Sequence, residues 1–432
     1  MIHTYLKNTD PDLAHLLQQE LERQQKGIEL IPSENIVSEA VLEALGSIGT
    51  NKYSEGYPGK RYYGGQEFID KIEKLAVERA KELFGVTHAN VQPYSGSPAN
   101  QAVCFALLEP GEKLMGMNLL YGGHLTHGWK VNFSAKYYTA VQYPTGPDGF
   151  LDYDEIARIA REEKPKLLFI GATAYPRIFD FARFAEIAKE IDAYLVADIS
   201  HVTGLIVGGV HPSPVGYADV ITTTTHKTLR GPRGAMILCN GEPSDFLKPP
   251  PEKSRKFLPT LIDRAVFPGL QGGPHDHQTA AIATTLLEAS KPEFKEYAVQ
   301  IVKNAKVLAE NLLQKDFTLV TGGTDNHLLL IDLTNKNMPG KIAENLLDKV
   351  GLTVNKNMVP FDKRTPYDPS GIRIGTPSMT TRGMKEQEME LIAEIIDETL
   401  KNPSEDNLLL QHSRIQELCA KFLIYPNLSY TD

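Results

Sequence analysis

Cysteine is scarce in this chain, with three in 432 residues, and none of the three (Cys104, Cys239, Cys419) is close to another. That spacing excludes a disulfide framework and gives no C-x-x-C pair for zinc or redox work. No apolar run approaches the roughly 20 residues that cross a bilayer as a helix. Basic charge is also in deficit: 45 Lys and Arg against 54 Asp and Glu leave a net charge of −9, which speaks against a nucleic-acid-binding surface. The opening residues MIHTYLKNTDPDLAHLLQ lack a charged head followed by an apolar core, so no secretory signal is expected. A cytoplasmic protein of a reducing compartment is the expectation, with neither membrane nor nucleic acid as partner. No internal repeat is present.

What is present is ordinary for a globular protein, at 41% hydrophobic and 23% charged residues, and the length exceeds that of one core. Leu13, Leu16, Leu17 and Leu21 recur at helical spacing over 11–26, with Asp10 as cap and Gly27 as stop. Residues 28–65 are rich in glycine, tyrosine and polar side chains and read as a long ordered loop, since its tyrosines weigh against disorder. Within it Gly59-Lys60 matches part of a P-loop, but Arg61 stands where Ser or Thr is needed and no strand precedes it.

From residue 67 the pattern alternates. A helix with Phe68, Ile72, Leu75 and Leu83, stopped by Gly85, leads to strands at 86–92, 113–117, 137–143, 166–172, 193–198, 219–225 and 234–239, with helices at 152–163 and 181–190 between some of them. Continuous apolar strands alternating with helices imply a mainly parallel sheet covered on both faces. Residues 241–260, with Pro249-Pro250-Pro251, read as a surface excursion. Helices at 281–290 and 294–315 then lead to a second set of elements, with strands at 327–333, 352–355 and 371–375 and helices near 340–350, 384–401 and 405–423. The expected architecture is α/β: two units of unequal size, preceded by a helical arm.

Ligands of such sheets bind beyond the carboxyl ends of the strands. Ser95-Gly96-Ser97 stands between a strand and a helix, where backbone N–H groups and the helix dipole favour a phosphate; it also fits an ordinary turn and cap. Asp198 closes the apolar strand AYLVAD, either capping a turn or keeping a pyridinium nitrogen protonated. Lys227 follows the four β-branched residues Thr222–Thr225 and His226, as a surface lysine closing a strand or as a Schiff-base amine. His124 follows a third strand. Phosphate cradle, carboxylate, histidine and lysine at successive strand ends suit pyridoxal phosphate. The alternative is a metal held by His124, His127, His201, His226, His275 and His277, but no acidic residue accompanies them at the spacing of H-E-x-x-H.

Over nearly its whole length the chain resembles serine hydroxymethyltransferase, a fold-type I pyridoxal phosphate enzyme family. The resemblance is carried by Leu30–Asn35, Tyr53–Gly65, Ser95–Asn100, His124–Gly128, Asp198–His201, Thr222–Gly234, Phe267–Pro274 and Ser370–Pro377. It implies an N-terminal arm and active-site loop at 1–65, a large cofactor-binding domain with a seven-stranded sheet at 66–285, and a small C-terminal α/β domain at 286–432.

The implied activity is reversible conversion of L-serine and tetrahydrofolate to glycine and 5,10-methylenetetrahydrofolate, a folate-independent threonine-type aldolase or transaldolase being the alternative. Lys227 matches the lysine that holds pyridoxal phosphate covalently, Asp198 the partner of its ring nitrogen, and His124 the histidine stacked on the ring. Ser97 and Gly96 match phosphate ligands. Tyr53 and Gly273 match phosphate contacts from the neighbouring subunit, so a homodimer with shared sites is implied. Thr173, His201 and His226 fall at further cofactor contacts, Thr173 where a serine is common. Arg373 matches the arginine for the substrate carboxylate, with Ser33 and His201 beside it. Tyr63 and Arg233 match residues near the lysine, and Glu55 the acid–base carboxylate, against the alternative of a loop glutamate paired with Lys60 or Arg61. Leu119, Leu125 and Asn357 match the folate site. No metal is implied. The chain departs from the family pattern at Tyr94, Tyr121, Trp129, Ser200 and Phe361.

Overall fold

In the computed structural model, residues 4–244 and 253–431 are described. Pro249-Pro250-Pro251 lies outside them. The described chain falls into two compact units: a central unit, Val37–Val299, and a terminal unit made of the residues up to Ile36 and those from Gln300 on.

The central unit is built on a seven-stranded sheet. Its order is His88–Asn90, Ala235–Cys239, Val220–Thr224, Tyr194–Asp198, Leu167–Ile170, Lys113–Met117, Thr139–Tyr143. The last five pair in parallel. Ala235–Cys239 is antiparallel to both of its neighbours, which turns His88–Asn90 back into the direction of the parallel set. Six carboxyl ends therefore point to one edge. The mainly parallel sheet expected from the sequence is present, and the reason is burial: every residue of Leu167–Ile170, Val220–Thr224 and Ala235–Cys239 is buried. Beneath the sheet, Val103, Phe169, Val196, Ile237 and Ile262 share one apolar core.

The terminal unit carries a four-stranded antiparallel sheet in the order Thr318–Leu319, Leu328–Asp332, Gly371–Gly375, Asn355–Asn357. Helices Gly340–Lys349, Glu386–Lys401 and Glu405–Lys421 belong to the same unit, and Leu347, Ile392 and Ile415 pack with Ile331, Ile372 and Ile374 in its core. Ile28–Glu29 pairs in parallel with Leu352–Thr353.

One expectation needs correction, and two expected helices are present with a buried face that differs from the apolar residues that marked them. Residues 28–65 are not one loop: Glu39–Leu45 is helical, capped by the Ser38 side chain on the Val41 N–H. The Pro11–Lys26 helix has the expected Asp10 cap and Gly27 end, but it buries Ala14 and Leu21 while Leu13 and Leu16 are exposed. In the Glu67–Phe84 helix the buried face is Glu73, Ala76, Ala80 and Phe84, with Phe68 and Leu75 outside. Among the described residues no helix is long and apolar enough to cross a membrane.

Candidate active site

The Tyr194–Asp198 strand ends on a carboxylate that four protein donors reach. Asn100 Nδ2 (2.8 Å) and His127 Nε2 (3.1 Å) donate to Oδ2, and the Ser200 N–H (3.1 Å) and Oγ–H (2.6 Å) donate to Oδ1. Burial pushes the Asp198 carboxyl up, but the hydrogen bond from His127 and the charges of His127, His124 and Lys227 outweigh it and hold the group well below the usual carboxylate range. Asp198 is thus an ionised, nearly buried anion at the end of a parallel strand.

The donors are themselves fixed. The Asn100 amide is oriented by Thr222, whose hydroxyl donates to Oδ1 at 2.7 Å, while Nδ2 also donates to Thr126 Oγ1 at 2.8 Å. Having accepted from Asn100, Thr126 directs its own proton to His124 Nδ1 at 2.7 Å, and the Thr126 N–H reaches the same atom at 3.3 Å. His124 Nδ1 is therefore an acceptor, so the neutral ring carries its proton on Nε2. Burial, together with the charges of His127 and Lys227, lowers the His124 imidazole to about 4, which agrees with a neutral ring. His127 lies flat on Phe169, ring centroids 4.7 Å apart.

Lys227 follows the neighbouring strand, half-buried, after Thr225 and His226. Its charge acts on Asp198, His124 and His226, which puts all four in one electrostatic neighbourhood. Burial, then Lys227 and Arg233, lower His226 to about 3, and its Nδ1 is buried with no partner among the described residues. Arg233 is exposed. His201 is buried, and its carbonyl accepts the Thr228 hydroxyl at 3.0 Å. The Thr173 hydroxyl reaches the carbonyls of Gly122 (3.2 Å) and Gly123 (3.0 Å). Leu119 and Leu125 sit on short 3-10 turns after the Lys113–Met117 strand, Leu119 half-buried and Leu125 exposed.

Ser95-Gly96-Ser97 opens the Gly96–Leu107 helix, and no side chain caps it, which leaves the first N–H groups of a 12-residue helix for an anion. Gly96 is required by packing: a Cβ there would lie 2.7 Å from Thr224 Cγ2, at the end of the strand that leads to Lys227.

A second group lies on the 53–65 loop of the same unit. Tyr53 Oη donates to Glu55 Oε1 at 3.2 Å, Tyr63 packs edge-on against Tyr53 at 5.2 Å, and a Cβ on Gly273 would touch the Tyr53 ring at 3.3 Å. The pairing of Glu55 with Lys60 or Arg61 is not formed. Arg61 instead binds Asp70 (2.9 Å) and Glu73 (2.6 Å) and donates to the carbonyls of Ser54 and Gly56, which fastens the loop. Tyr94, immediately before the Ser95-Gly96-Ser97 turn, stacks on His275 at 4.2 Å and donates to the Gly273 carbonyl at 2.9 Å.

Three predicted residues belong to the terminal unit. Ser33 is half-buried in a turn after Ile28–Glu29. Asn357 ends the edge strand Asn355–Asn357, its amide on the Met358 carbonyl at 2.7 Å. Arg373 is buried in the Gly371–Gly375 strand, with Nε on Asn355 Oδ1 at 3.0 Å, and burial lowers its guanidinium to about 10.

Sequence reasoning passed over Asn100, Thr126, Ser200 and Thr222 as donors, and weighed His127 only as a metal ligand. Thr126 and Ser200 stand on turns just beyond strand ends, which is a readable signal, whereas Asn100 lies inside the Gly96–Leu107 helix and Thr222 inside the Val220–Thr224 strand, opposite Asp198. The same reasoning also set a metal aside because no acid stood at ligand spacing. Folding supplies one: ligand atoms of His124, His127 and Asp198 lie within 4.8 Å of one another. The direct His127–Asp198 hydrogen bond accounts for that closeness without an ion.

Comparison with known proteins bears on the same strand ends. The family model described as serine hydroxymethyltransferase matches residues 6–396. The serine hydroxymethyltransferase of Acidothermus cellulolyticus is 59% identical over 394 residues, covering 91% of this chain and 89% of the relative. That of Desulfotalea psychrophila is 56% identical over 420 residues, covering 97% and 95%. Similarity of that extent spans both units and every strand end described above, and the chain belongs to the serine hydroxymethyltransferase family.

Proposed function

We propose that the chain carries out reversible transfer of the hydroxymethyl group of L-serine to tetrahydrofolate, yielding glycine and 5,10-methylenetetrahydrofolate, with pyridoxal phosphate on Lys227. The observation that carries the reading is the ionised, four-donor Asp198 in the field of Lys227, at the edge where an uncapped helix start also lies. Those residues fit the cofactor's demands: an anion for a pyridinium nitrogen, an amine for the aldehyde and backbone N–H groups for phosphate. The buried Nδ1 of His226 beside Lys227 has no partner among the described residues and is a polar atom that a polar ligand would satisfy.

When bound, the cofactor supplies an electron sink for the pair left on the substrate's α-carbon. The chain's own groups do the rest. Gly96 and Ser97 hold phosphate, with Tyr53 and Gly273 added from a second subunit of a homodimer. His124, neutral and with its proton on Nε2, covers the ring without adding positive charge. Thr173 and His201 are further cofactor contacts, and His201 and Ser33 reach towards the substrate. Arg373 holds the substrate carboxylate with its planar fork, for which lysine is a poor replacement. Glu55, whose rival partner Arg61 is engaged elsewhere, moves the proton of the hydroxymethyl oxygen. Tyr63 and Arg233 stand near the lysine, and Leu119, Leu125 and Asn357 line the pterin site. A cytoplasmic setting is part of the same reading.

Borohydride reduction of the holoenzyme followed by peptide mass mapping is expected to label Lys227. Glycine release from serine is expected to depend on tetrahydrofolate. Release that ignores tetrahydrofolate would favour the aldolase alternative, and an unlabelled Lys227 would end the reading altogether.

A further inference from the structure

An ionised carboxylate can accept about four hydrogen bonds or more, and four protein donors already reach the oxygens of Asp198. Three donors are rigid. The Ser200 N–H is backbone, the Asn100 amide is locked between Thr222 and Thr126, and the His127 ring is stacked on Phe169. The fourth, the Ser200 hydroxyl, makes the shortest bond of the set at 2.6 Å and is the only one that can rotate. It also accepts the Thr224 N–H at 3.0 Å, which polarises it further. Ser200 is buried, so the bond is shielded from bulk water. Thr224 ends the strand that leads to Lys227, so one hydroxyl couples the lysine's strand to the carboxylate.

We propose that Ser200 is a positioning residue that tempers the hold of Asp198 on the ring nitrogen of bound pyridoxal phosphate. The inference rests on the role of Asp198 proposed above. A charge-assisted bond from Ser200 Oγ–H withdraws charge from Oδ1 and leaves the carboxylate a weaker acceptor for a further donor. Without that bond the carboxylate would take the ring N–H more strongly, fixing the ring proton and tightening retention of the cofactor.

The test uses full-length holoenzyme reconstituted with pyridoxal phosphate labelled with nitrogen-15 in the ring. At one fixed pH, Ser200→Ala is expected to move the ring nitrogen resonance toward the fully protonated value. Cofactor loss to an apoenzyme trap is expected to slow by up to about tenfold, the factor that 1.4 kcal/mol represents. Ser200→Thr, which keeps the hydroxyl, is expected to restore both readouts. A purely structural role for Ser200 would lower thermal stability without moving the resonance. An alanine variant that folds and binds with unchanged resonance and release overturns the proposal. Should that variant not fold, the near-isosteric weak donor in Ser200→Cys replaces it, a shift in the same direction supporting the proposal and no shift overturning it. Asp198→Asn separates the two levels of the argument. If it leaves the resonance unmoved, the assignment of Asp198 fails; if it moves the resonance and Ser200→Ala does not, only the role of Ser200 fails.

Discussion

Arg382 offers a test of how the terminal unit is held together. Its guanidinium is buried and donates to five backbone carbonyls: Gly27 at 2.7 Å, Gln25 and Phe422 at 2.9 Å, Gln24 at 3.3 Å and Cys419 at 3.4 Å. Those carbonyls terminate two helices, Pro11–Lys26 and Glu405–Lys421, so one cation serves two negative dipole ends at once. Arg382→Met keeps most of the volume and removes every donor. A hydrogen bond to a charged group contributes roughly 1.5–3 kcal/mol, and three of the five contacts are shorter than 3 Å. Relief of the desolvation of the cation offsets part of that sum, so the expected net loss is about 3–5 kcal/mol. Urea denaturation followed by circular dichroism reads the loss as a lower midpoint. Amide exchange resolves it further, with the last turns of both helices losing protection together. Arg382→Lys, which can reach only one or two of the carbonyls, is expected to recover less than half. A methionine variant within about 1 kcal/mol of the parent would refute the double-capping argument.

Other consequences follow from the central unit. His124 is held neutral down to about 4 in the fold, whereas the unfolded chain takes up that proton near 6.5, so its contribution to stability is lost as pH falls through that window. Between pH 7 and 5 the parent is expected to lose about 2 kcal/mol more than His124→Phe, read from urea midpoints; equal losses would refute the neutral-ring assignment. Burial raises the thiols of Cys104, Cys239 and Cys419, so Ellman's reagent is expected to find none of the three reactive until denaturant is added. Gly204 has no room for a Cβ, which would strike the Thr228 carbonyl next to Lys227. Gly204→Ala is expected to cost about 1–3 kcal/mol and to weaken cofactor binding, measured by melting temperature and by absorbance titration. Thr222→Val keeps the shape and the strand preference but frees the Asn100 amide to turn its oxygen toward Asp198. The buried amide then loses one partner, at an expected cost of about 1–3 kcal/mol read from urea midpoints, and an unchanged midpoint would refute the orienting role of Thr222.

The sequence was legible where one physical demand dominates. Strands buried on both faces must be apolar or β-branched throughout, so the seven-stranded sheet could be read from runs such as Leu167–Ile170. Helix ends could be read from caps such as Asp10 and Gly85. Helix faces were harder, because a large apolar residue attracts notice whether or not it is buried. Ala14 and Ala76 carry the packing, while Leu16 and Phe68 stand outside. Glu39–Leu45 was hidden by its setting among tyrosines, glycines and polar residues, where about two turns of helix leave little periodicity. At the site, residues at strand ends could be named. Their partners could not, since the contact between Asn100 and Asp198 joins positions 98 residues apart and exists only after folding.

The threonine run at 222–225 shows why those partners matter. Valine would satisfy strand preference at each position equally well, so preference alone explains the branching and not the hydroxyls. In the fold each hydroxyl has a partner: Thr222 holds Asn100, Thr223 bonds with Thr203 and with the Thr224 carbonyl, Thr224 reaches the Ser200 carbonyl, and Thr225 holds the Pro232 carbonyl. One of these fixes a donor to Asp198, one touches the residue that supplies the other carboxylate oxygen with its shortest bond, and one closes the turn that follows Lys227. The strand therefore does two things with the same atoms: its branched carbons build a buried sheet, and its oxygens set the orientation of the carboxylate and the loop of the lysine relative to each other. Lys227 is distinguished from an ordinary strand-end lysine by this placement, which no single residue in the stretch could supply.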